Sequence, residues 1–343
     1  MAELPLPRVT LAGLGAALPE RVLTNEDLER MVETSDAWIV ERTGIRCRRL
    51  AAATEATSDL AIEAARCALD DAGLGAADLD AIIVATVTPD HPLPSTACLV
   101  QRALGARRAA AFDLAAACTG FIYGLALAEG LIAAGRHETV LVVGAETLSR
   151  IVDYTDRTTC ILFGDGAGAA VVTRARSPEH GLLWLELGAD GDEAELLVVP
   201  AGGSRHPASA ATVADRLHYV KMDGHGVFRY AVEAMGRSVA SVLGRLGLGV
   251  EDVDLVVPHQ ANRRIVEAAA RFAGVPTDRI FHTIEEYGNM SSASIPVSLD
   301  EARRRGLLEK GDLVLLVGFG GGMTRGAALL RWGLGSPGAG QGG

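Results

Sequence analysis

The sequence predicts an α/β fold built from two copies of one unit. Two stretches, LDAIIVAT (79–86) and TVLVVGA (139–145), are nearly continuous apolar runs, which is typical of buried parallel strands. The words GLGAADLDAIIVATVTPD, from Gly73, and GLGVEDVDLVVPHQANR, from Gly247, match each other. Abundant alanine and 40 glycines suit the close packing of helices on sheets.

The apolar strands that follow the two matching words lie at the same distance from them in both copies. Asp80 and Val140 are 60 residues apart in the first copy, as are Asp254 and Val314 in the second. Matching words at matching distances indicate a duplicated unit. We therefore expect two pseudo-symmetric halves.

Composition places the boundaries of these halves. The first half is expected over residues 8–178 and the second over residues 179–333. Between the two copies, Gly188–Arg216 is rich in Gly, Ala, Ser and acidic residues, as expected of a long surface loop that covers a binding site. The last residues, 335–343, consist mostly of Gly, Ser and Pro, so we expect a flexible tail there.

Shorter signals predict the other elements in order. Arg8–Gly13 predicts a strand. The word GLGAALPE (13–20), which begins at the last residue of this strand, lacks the third glycine of a dinucleotide-binding loop. Capping residues and apolar residues at helical spacing predict helices over Asn25–Val32, Ser35–Arg42, Ser58–Ala72 and Ser95–Leu104. Helices therefore alternate with strands, as an α/β fold requires.

Charge and cysteine content argue against several classes of protein. A formal net charge of −11 does not suit general nucleic-acid binding. No basic segment followed by an apolar stretch opens the chain, and its longest uncharged run, residues 114–128, is too short to span a membrane. The five cysteines form no CxxC pair, which indicates reduced thiols rather than a disulfide framework or a zinc site. We therefore expect a cytoplasmic protein.

The stretch Phe112–Gly135 carries the first candidate for chemistry. Cys118 lies between a short apolar run and a segment whose apolar residues recur at helical spacing, so we predict it on a strand-to-helix turn. A thiol at the start of a helix faces unsatisfied N–H groups that favour the thiolate, and we expect a lowered pKa for Cys118. A small cysteine buried in a packed core is the alternative explanation.

The second copy has polar residues at the corresponding strand ends. His259 follows the apolar strand that begins at Asp254, at a carboxyl end where α/β sheets bind ligands. Asn289 lies near the position that Cys118 has in the first copy, and Val317–Gly322 (VGFGGG) follows a strand with N–H groups that can reach a bound oxygen. If the halves pack face to face, these groups meet at one seam. A Cys/His/Asn protease is the competing interpretation, weakened because a papain-like signature is absent.

At these residues the sequence resembles the β-ketoacyl-acyl-carrier-protein synthase III family, condensing enzymes of thiolase fold that begin fatty-acid synthesis. The resemblance runs from Arg8 to Trp332. It rests on the words SDAWIVERTGI (35–45), AACTGF (116–121), TDRTTCILFGDGAGA (155–169), VPHQANRRI (257–265), YGNMSSASIP (287–296) and FGGGMTRGAAL (319–329). It implies a five-layered αβαβα arrangement, with the nucleophilic cysteine in the first half and the histidine and asparagine in the second.

The resemblance also implies a reaction. Cys118 would attack an acyl-CoA thioester while the backbone N–H groups of Cys118 and Gly321 hold the oxyanion. Malonyl-acyl carrier protein would then lose CO₂, and His259 and Asn289 would hydrogen-bond the resulting enolate. The enolate carbon would attack the acyl group to give a 3-oxoacyl product. These steps require no metal and no redox cofactor, so we expect neither.

The resemblance further implies contacts with both substrates and with a second copy of the chain. The residues matched to a CoA-binding tunnel are Thr34, Trp38, Arg42, Arg157, Asn262 and Arg264. The residues matched to a basic patch for the acidic carrier protein are Arg263, Arg264 and Arg271, with Arg229 near them. Leu93 matches the residue that the family inserts into the neighbour's acyl pocket, so we expect a homodimer.

Departures from the family pattern keep alternatives open. His225 stands in MDGHGVF where the family often has Asn, Met323 stands where Phe is usual, and Gly188–Arg216 is long. The three catalytic candidates are intact, but a starter-unit synthase or acyltransferase of the same fold in polyketide or secondary metabolism stays open. A hydrolase that resolves the acyl-enzyme with water and a non-catalytic acyl-CoA-binding protein are further alternatives.

Overall fold

Strands and helices alternate along the chain in the computed structural model, which describes residues 8–335. The first part of the chain forms β1 (Val9–Ala17), β2 (Arg21–Thr24), α1 (Asn25–Glu29), α2 (Asp36–Thr43), β3 (Cys47–Leu50), α3 (Thr57–Ala72), β4 (Ala81–Ala85), α4 (Thr96–Leu104), β5 (Ala110–Leu114), α5 (Gly120–Ala133), β6 (Thr139–Glu146), α6 (Arg157–Cys160) and β7 (Gly166–Arg174). The second part forms β8 (Gly181–Ala189), β9 (Leu197–Val198), α7 (Ala210–Ala214), β10 (Lys221–Met222), α8 (Gly224–Leu246), β11 (Leu255–Pro258), α9 (Arg263–Ala273), α10 (Ile284–Tyr287), α11 (Ser294–Arg304), β12 (Leu313–Gly320) and β13 (Thr324–Arg331). Apart from Gly335, the predicted flexible tail 335–343 lies outside the described residues.

The described residues form two large sheets with one topology. The larger has the strand order β1-β7-β6-β4-β5, and the smaller has the order β8-β13-β12-β11. In the larger sheet β4 runs parallel to β6, and β6 runs antiparallel to β7. The smaller sheet repeats this pattern, since β11 runs parallel to β12 and β12 antiparallel to β13. A single parallel bridge between Val256 and Ile280 lies where the larger sheet has its edge strand β5.

The duplication extends to individual hydrogen bonds. Asp80 Oδ2 accepts a hydrogen bond from the N–H of Thr139 at 3.1 Å, and Asp254 Oδ2 accepts one from the N–H of Leu313 at 2.8 Å. Thr139 and Leu313 are the first residues of β6 and β12. The aspartates of the two matching words therefore perform the same task, because each satisfies a backbone donor at the start of the neighbouring strand.

Helices form three layers around the two sheets. α5 and α11 lie between the sheets, where Phe121 and Leu299 pack among inner-face residues such as Val142 and Leu316. α3 and α4 cover the outer face of the larger sheet, and α8 and α9 cover the outer face of the smaller one. The predicted αβαβα arrangement is confirmed. Both sheets are covered on both faces, which explains why their strands are continuous apolar runs.

The predicted helices are present, with bounds that differ by a few residues at most. α2 begins after Ser35, whose side chain accepts a hydrogen bond from the N–H of Trp38 at 3.2 Å. β1 is longer than predicted and continues through Gly13 and Gly15 to Ala17. A Cβ at Gly13 would collide with backbone atoms of α3. These glycines therefore allow α3 to pack closely on β1 and form no nucleotide loop.

Two predictions about loops need correction. Val317–Gly322 does not follow a strand, because β12 continues to Gly320 and only the turn before Thr324 lies outside it. The predicted surface loop Gly188–Arg216 begins inside β8 and contains a short 3₁₀ helix, β9 and α7. Its residue Leu197 packs against Gly321, so this segment covers the end of β12. Across residues 8–335, no helix combines the length and the apolar character needed to cross a membrane.

Gly144 in β6 faces the turn that precedes α11, and this contact leads to a stability prediction. A Cβ at position 144 would overlap the carbonyl oxygen of Ser292, so Gly144→Ala must displace backbone. We expect this substitution to lower the free energy of unfolding by more than about 2 kcal/mol, measured by chemical denaturation.

Gly130→Ala is the matched control for this prediction. Gly130 is an exposed residue of α5, and nothing lies within 4 Å of the position that its Cβ would take. Alanine is the better helix former, so this variant should gain about 0.5–1 kcal/mol of stability. Equal stabilities of the Gly144→Ala variant and the wild type would show that the two segments are not in close contact.

Candidate active site

Cys118 lies in a 3₁₀ turn, Ala117–Thr119, between β5 and α5, as the sequence predicts. Ala117 has a φ of 45°, a left-handed conformation that is uncommon for a residue other than glycine. Cys118 itself is buried, with 6% of its surface exposed. The end of β12 approaches its backbone closely, since a Cβ on Gly320 would lie 2.6 Å from the Cys118 nitrogen.

The second half has an equivalent turn, Ser291–Ala293, immediately before α11. Ser291 has a φ of 46° and so repeats the conformation of Ala117. Ser292, and not Asn289, is therefore the structural counterpart of Cys118. The prediction that Asn289 corresponds to Cys118 is therefore wrong by three residues. The words AACTGF and NMSSAS share little beyond small residues, so the sequence alone does not align the two turns.

Asn289 leads into this second turn and is held on both sides. Its backbone N–H donates to the Leu162 carbonyl at 2.9 Å, and its own carbonyl accepts from the Gly164 N–H at 3.0 Å. Its side-chain Oδ1 accepts a hydrogen bond from the N–H of Ser291 at 2.9 Å. Among the hydrogen bonds of the described residues, none uses Asn289 Nδ2. The carboxamide is thus oriented with its donor end available.

His259 follows directly on β11, at the predicted carboxyl end of a strand, and is completely buried. Its Nδ1 lies 2.7 Å from the Ser294 hydroxyl, and its ring packs edge-on against Phe319 with centroids 5.8 Å apart. Within residues 8–335, Nε2 has no hydrogen-bond partner. Burial lowers the pKa of His259 to about 3, so the imidazole is neutral at physiological pH.

The environment of Cys118 contradicts the expected lowering of its pKa. Burial raises the pKa of the Cys118 thiol to about 12. The nearby Ser291 hydroxyl lowers this pKa, and the charge of Glu146 raises it further. Without substrate, removal of the thiolate from water outweighs the favourable position at the start of α5. The thiol is therefore protonated at neutral pH.

The three side chains meet at one seam between the halves. A Cβ on Gly318 would lie 3.1 Å from His259 Cβ and 3.8 Å from a methyl carbon of Thr119, so both segments flank the same glycine. The turn of Ser291 joins the other two groups, since the Ser291 N–H binds the Asn289 side chain and a Cβ on Gly120, two residues after Cys118, would lie 3.3 Å from Ser292 Cβ. A thiol, a neutral imidazole and a carboxamide from three segments thus surround one buried region.

The residues matched to CoA binding cluster on one part of the surface. The guanidinium groups of Arg157 and Arg42 lie 4.9 and 5.8 Å from the centre of the Trp38 ring. Asn262 caps α9 by accepting a hydrogen bond from the Arg264 N–H at 2.9 Å, and its Nδ2 donates to the Arg42 carbonyl at 3.1 Å. Arg157 also donates to the carbonyl oxygen of Glu33, next to Thr34, at 2.9 Å.

The residues matched to carrier-protein binding differ in their charge environment. Arg263 forms ion pairs with Glu267 and Glu285, which neutralise much of its charge. Arg264 and Arg271 form no ion pair among residues 8–335. Arg263 and Arg264 line a surface cleft of about 280 Å³ whose other wall includes Val40 and Glu41. Among these three arginines, the unpaired positive charge therefore lies on Arg264 and Arg271.

Sequence reasoning missed several polar residues at the seam. The Ser291 N–H binds the Asn289 side chain, and the Ser294 hydroxyl binds His259 Nδ1. The charge of Glu146 raises the pKa of Cys118. The serines sit in the SSAS run that follows Asn289, and Glu146 is a lone carboxylate at the end of an apolar strand. Both patterns are visible in the sequence, but neither shows which side chains they will meet.

Two sequence models match separate parts of the chain. They describe 3-oxoacyl-[acyl-carrier-protein (ACP)] synthase III, over residues 112–191, and the C terminal of 3-oxoacyl-[acyl-carrier-protein (ACP)] synthase III, over residues 243–332. The β-ketoacyl-[acyl-carrier-protein] synthase III of Caldanaerobacter subterraneus subsp. tengcongensis is 53% identical over 322 residues, which cover 94% of this chain and 97% of that protein.

Solved structures share the whole architecture. The 3-oxoacyl-(acyl carrier protein) synthase III of Pseudomonas aeruginosa PAO1 is 44% identical with a TM-score of 0.89, covering 96% of this chain and 100% of that one. The priming β-ketosynthase of the R1128 polyketide biosynthetic pathway is 35% identical with a TM-score of 0.87, covering 98% and 99%. The αβαβα fold is thus thiolase-like. With such identity over nearly its whole length, the chain belongs to the β-ketoacyl-[acyl-carrier-protein] synthase III family.

Proposed function

We propose that Cys118, His259 and Asn289 carry out the reaction of this family in this chain. The reaction is a decarboxylating Claisen condensation of an acyl-CoA starter with malonyl-acyl carrier protein, which gives a 3-oxoacyl-acyl carrier protein and initiates fatty-acid synthesis. The proposal is supported above all by one observation, the meeting of a thiol, a neutral imidazole and a carboxamide at one buried seam. The chain is accordingly an acyltransferase.

The first half-reaction transfers the acyl group to Cys118. The sulfur attacks the thioester carbon, and the carbonyl oxygen becomes an oxyanion bound by the N–H groups of Cys118 and Gly321. The close approach of Gly320 to the Cys118 nitrogen keeps these two segments side by side. Collapse of the tetrahedral intermediate breaks the carbon–sulfur bond to CoA and leaves the acyl group on Cys118.

The second half-reaction forms the carbon–carbon bond. Loss of CO₂ from the malonyl group leaves an enolate, whose oxygen accepts hydrogen bonds from His259 Nε2 and Asn289 Nδ2. This step requires the ring proton on Nε2, so the Ser294 hydroxyl must donate its one proton to Nδ1 of His259 and not to the Ser291 carbonyl oxygen, which lies 2.9 Å from the same hydroxyl. The enolate carbon then attacks the acyl carbonyl and displaces the Cys118 sulfur.

A starter-unit synthase or acyltransferase of secondary metabolism is the alternative. The R1128 priming ketosynthase represents that class at 35% identity, whereas the Caldanaerobacter synthase III reaches 53%. The higher identity favours initiation of fatty-acid synthesis. Incubation with acyl-CoA and malonyl-acyl carrier protein tests this directly, because an enzyme that passes its acyl group to another acceptor forms no 3-oxoacyl product.

CoA and carrier-protein contacts are part of the same proposal. Trp38 and Arg157 would enclose the adenine, with Thr34, Arg42, Asn262 and Arg264 along the rest of CoA. In the structure Arg157 already lies over the Trp38 ring, so an adenine that enters between them must displace the guanidinium. Arg264 and Arg271, assisted by Arg263, would contact the acidic carrier protein. The reaction as written needs no metal and no further cofactor.

A homodimer and a cytoplasmic location complete the proposal. Leu93 is 87% exposed, and its loop is tied to the edge strand β5 by a 2.7 Å hydrogen bond from the Thr96 N–H to Asp113. A large exposed apolar side chain beside an uncovered strand edge suits contact with a second copy. All five cysteines lie within the described residues and are free, which suits a reducing compartment.

Separate assays of the two half-reactions test the assigned roles. Cys118→Ser should form no acyl adduct, because an alcohol is a far weaker nucleophile than a thiol in this site. Asn289→Ala should acylate at the rate of the wild type but lose about 10²–10³-fold in condensation, because an enolate donor is missing. Intact-protein mass spectrometry measures the first step, and malonyl-dependent product formation measures the second.

Cys98→Ser provides the control for these assays, because Cys98 is an exposed cysteine outside the seam. This variant should match the wild type in both half-reactions. Equal losses of acylation and condensation in the Asn289→Ala variant would contradict the division of labour.

The neutrality of His259 predicts a loss of stability in acid. The pKa of His259 is about 3 in the folded protein and about 6.5 when unfolded, so between these values the unfolded state binds more protons. Stability due to this group is present above pH 6.5 and falls as the pH falls. Between pH 7 and pH 5 the free energy of unfolding should decrease in the wild type. In the His259→Gln variant we expect this decrease to be smaller by about 2 kcal/mol.

Denaturant titrations at several pH values measure this difference. His91→Gln, a substitution of an exposed histidine, is the control and should follow the wild type. Identical pH profiles of the His259→Gln variant and the wild type would mean that His259 is not held neutral by burial.

A further inference from the structure

Glu146, the last residue of β6, is a buried carboxyl group that the mechanism above does not use. Its Oε2 accepts hydrogen bonds from the Val87 N–H at 3.1 Å and from the hydroxyls of Thr86 and Thr88 at 3.3 and 2.7 Å. Its Oε1 accepts one from the Ser292 hydroxyl at 3.0 Å. Burial raises the pKa of Glu146, and these hydrogen bonds oppose the rise. A carboxyl group so placed is a better proton acceptor than an exposed one.

The turn that carries Ser291 lies between the Glu146 carboxyl group and the turn of Cys118. The neighbouring Ser292 donates to Glu146, and a Cβ on Gly120, two residues after Cys118, would lie 3.3 Å from Ser292 Cβ. The buried Ser291 hydroxyl makes no hydrogen bond of normal geometry with any described residue, yet it is close enough to Glu146 and to the Cys118 thiol to lower the pKa of each. A buried hydroxyl without a settled partner costs stability, as does the left-handed backbone at Ser291. The fold therefore maintains a hydroxyl between thiol and carboxyl at an energetic cost.

The pseudo-symmetric equivalents of Ser291 and Glu146 lack both groups. Ala117 has the same backbone conformation as Ser291 but no hydroxyl, and Gly320 ends β12 where Glu146 ends β6. The fold itself therefore requires neither the hydroxyl nor the carboxylate. Their presence on one side of the pseudo-twofold axis, beside the cysteine, points to chemistry.

Acylation of Cys118 needs a proton acceptor that the assigned residues do not supply. At neutral pH the thiol is protonated, because burial holds its pKa at about 12. His259 is already committed, since its Nε2 must carry a proton to bind the enolate. Glu146 is the titratable group whose charge acts on the Cys118 thiol.

We propose that Glu146 accepts the Cys118 proton through the Ser291 hydroxyl when the sulfur attacks acyl-CoA. This inference rests on the proposed role of Cys118 as nucleophile. It makes Ser291 the relay and Glu146 the acceptor.

The proposed step is balanced in protons and electrons. The thiol proton moves to Ser291 Oγ while the Ser291 hydroxyl proton moves to Glu146, and the sulfur electron pair forms the new bond to the thioester carbon. The carbonyl π electrons move to the oxyanion and return when the bond to CoA breaks. The proton then goes back from Glu146 through Ser291 to the sulfur of the departing CoA, so Glu146 ends the step ionised.

The step predicts a pH dependence of acylation. Its rate should rise with pH as Glu146 ionises, at a pH above the usual range of a glutamate because burial raises its pKa. Thr86, Val87 and Thr88 face Glu146 without charge. Asp165 precedes Gly166, the residue of β7 that pairs with Glu146. The Asp165 carboxyl group instead accepts hydrogen bonds from the backbone N–H groups of Ser149 and Ala51. Cys118 is thus the titratable group coupled to Glu146 at this site.

Single-turnover acylation at a series of pH values tests the proposal. The readout is the acyl adduct on Cys118, followed by quenching and intact-protein mass spectrometry. Glu146→Gln should slow acylation at pH 7 by about tenfold or more and remove the rise of the rate with pH. Glu146→Asp should restore part of both. Removal of the charge alone would ease ionisation of the thiol, so a Glu146→Gln variant that acylates as fast as the wild type, or faster, overturns the proposal.

Ser291→Ala provides a second variant should Glu146→Gln fail to fold. Ala117 shows that alanine adopts the required backbone conformation in the equivalent turn. Slower acylation with a flattened pH profile supports the relay, and an unchanged rate and profile overturn it. Glu138→Gln, which neutralises an exposed carboxylate just before β6, should match the wild type.

The same assay separates the inference from the proposed function. A wild-type protein that forms no adduct on Cys118 contradicts both. If the wild type forms the adduct and the Glu146→Gln and Ser291→Ala variants acylate at the wild-type rate, the result contradicts the relay alone.

Discussion

The rest of the structure depends on one constraint, the close packing of two turns against strands of the two sheets. These turns precede α5 and α11. The turn that carries Cys118 lies against the end of β12, and the turn before α11 lies against β6, at Gly320 and Gly144. Neither place has room for a side chain. Because both turns are locked against strands of the opposite half, residues from distant parts of the chain are brought to one seam and held there.

That position between two sheets also determines the charge state of the site. Burial keeps the Cys118 thiol and the His259 imidazole neutral, against the usual advantage of a helix start for a thiolate. A neutral imidazole suits a hydrogen-bond donor to a developing enolate. A neutral thiol, however, must lose its proton during attack, and the buried carboxyl group of Glu146 has a chemical purpose for that reason.

The duplicated fold makes functional residues recognisable by asymmetry. Where both halves have the same feature, such as the aspartates that bind the first N–H of a neighbouring strand, packing explains it. Where the halves differ, the fold does not require the difference. Cys118 opposite Ser292, and Glu146 opposite Gly320, are differences of this kind, and both lie at the seam.

The sequence by itself determined the duplicated α/β architecture, the strand-to-helix turn at Cys118 and the strand-end position of His259, because apolar runs and capping residues are local signals. Tertiary structure alone decided that Ser292 is the counterpart of Cys118, that the thiol is protonated, and that Ser291 and Glu146 lie beside it. These properties depend on how deeply a group is buried and which distant segment packs on it. Neither quantity is encoded in the spacing of residues along one segment.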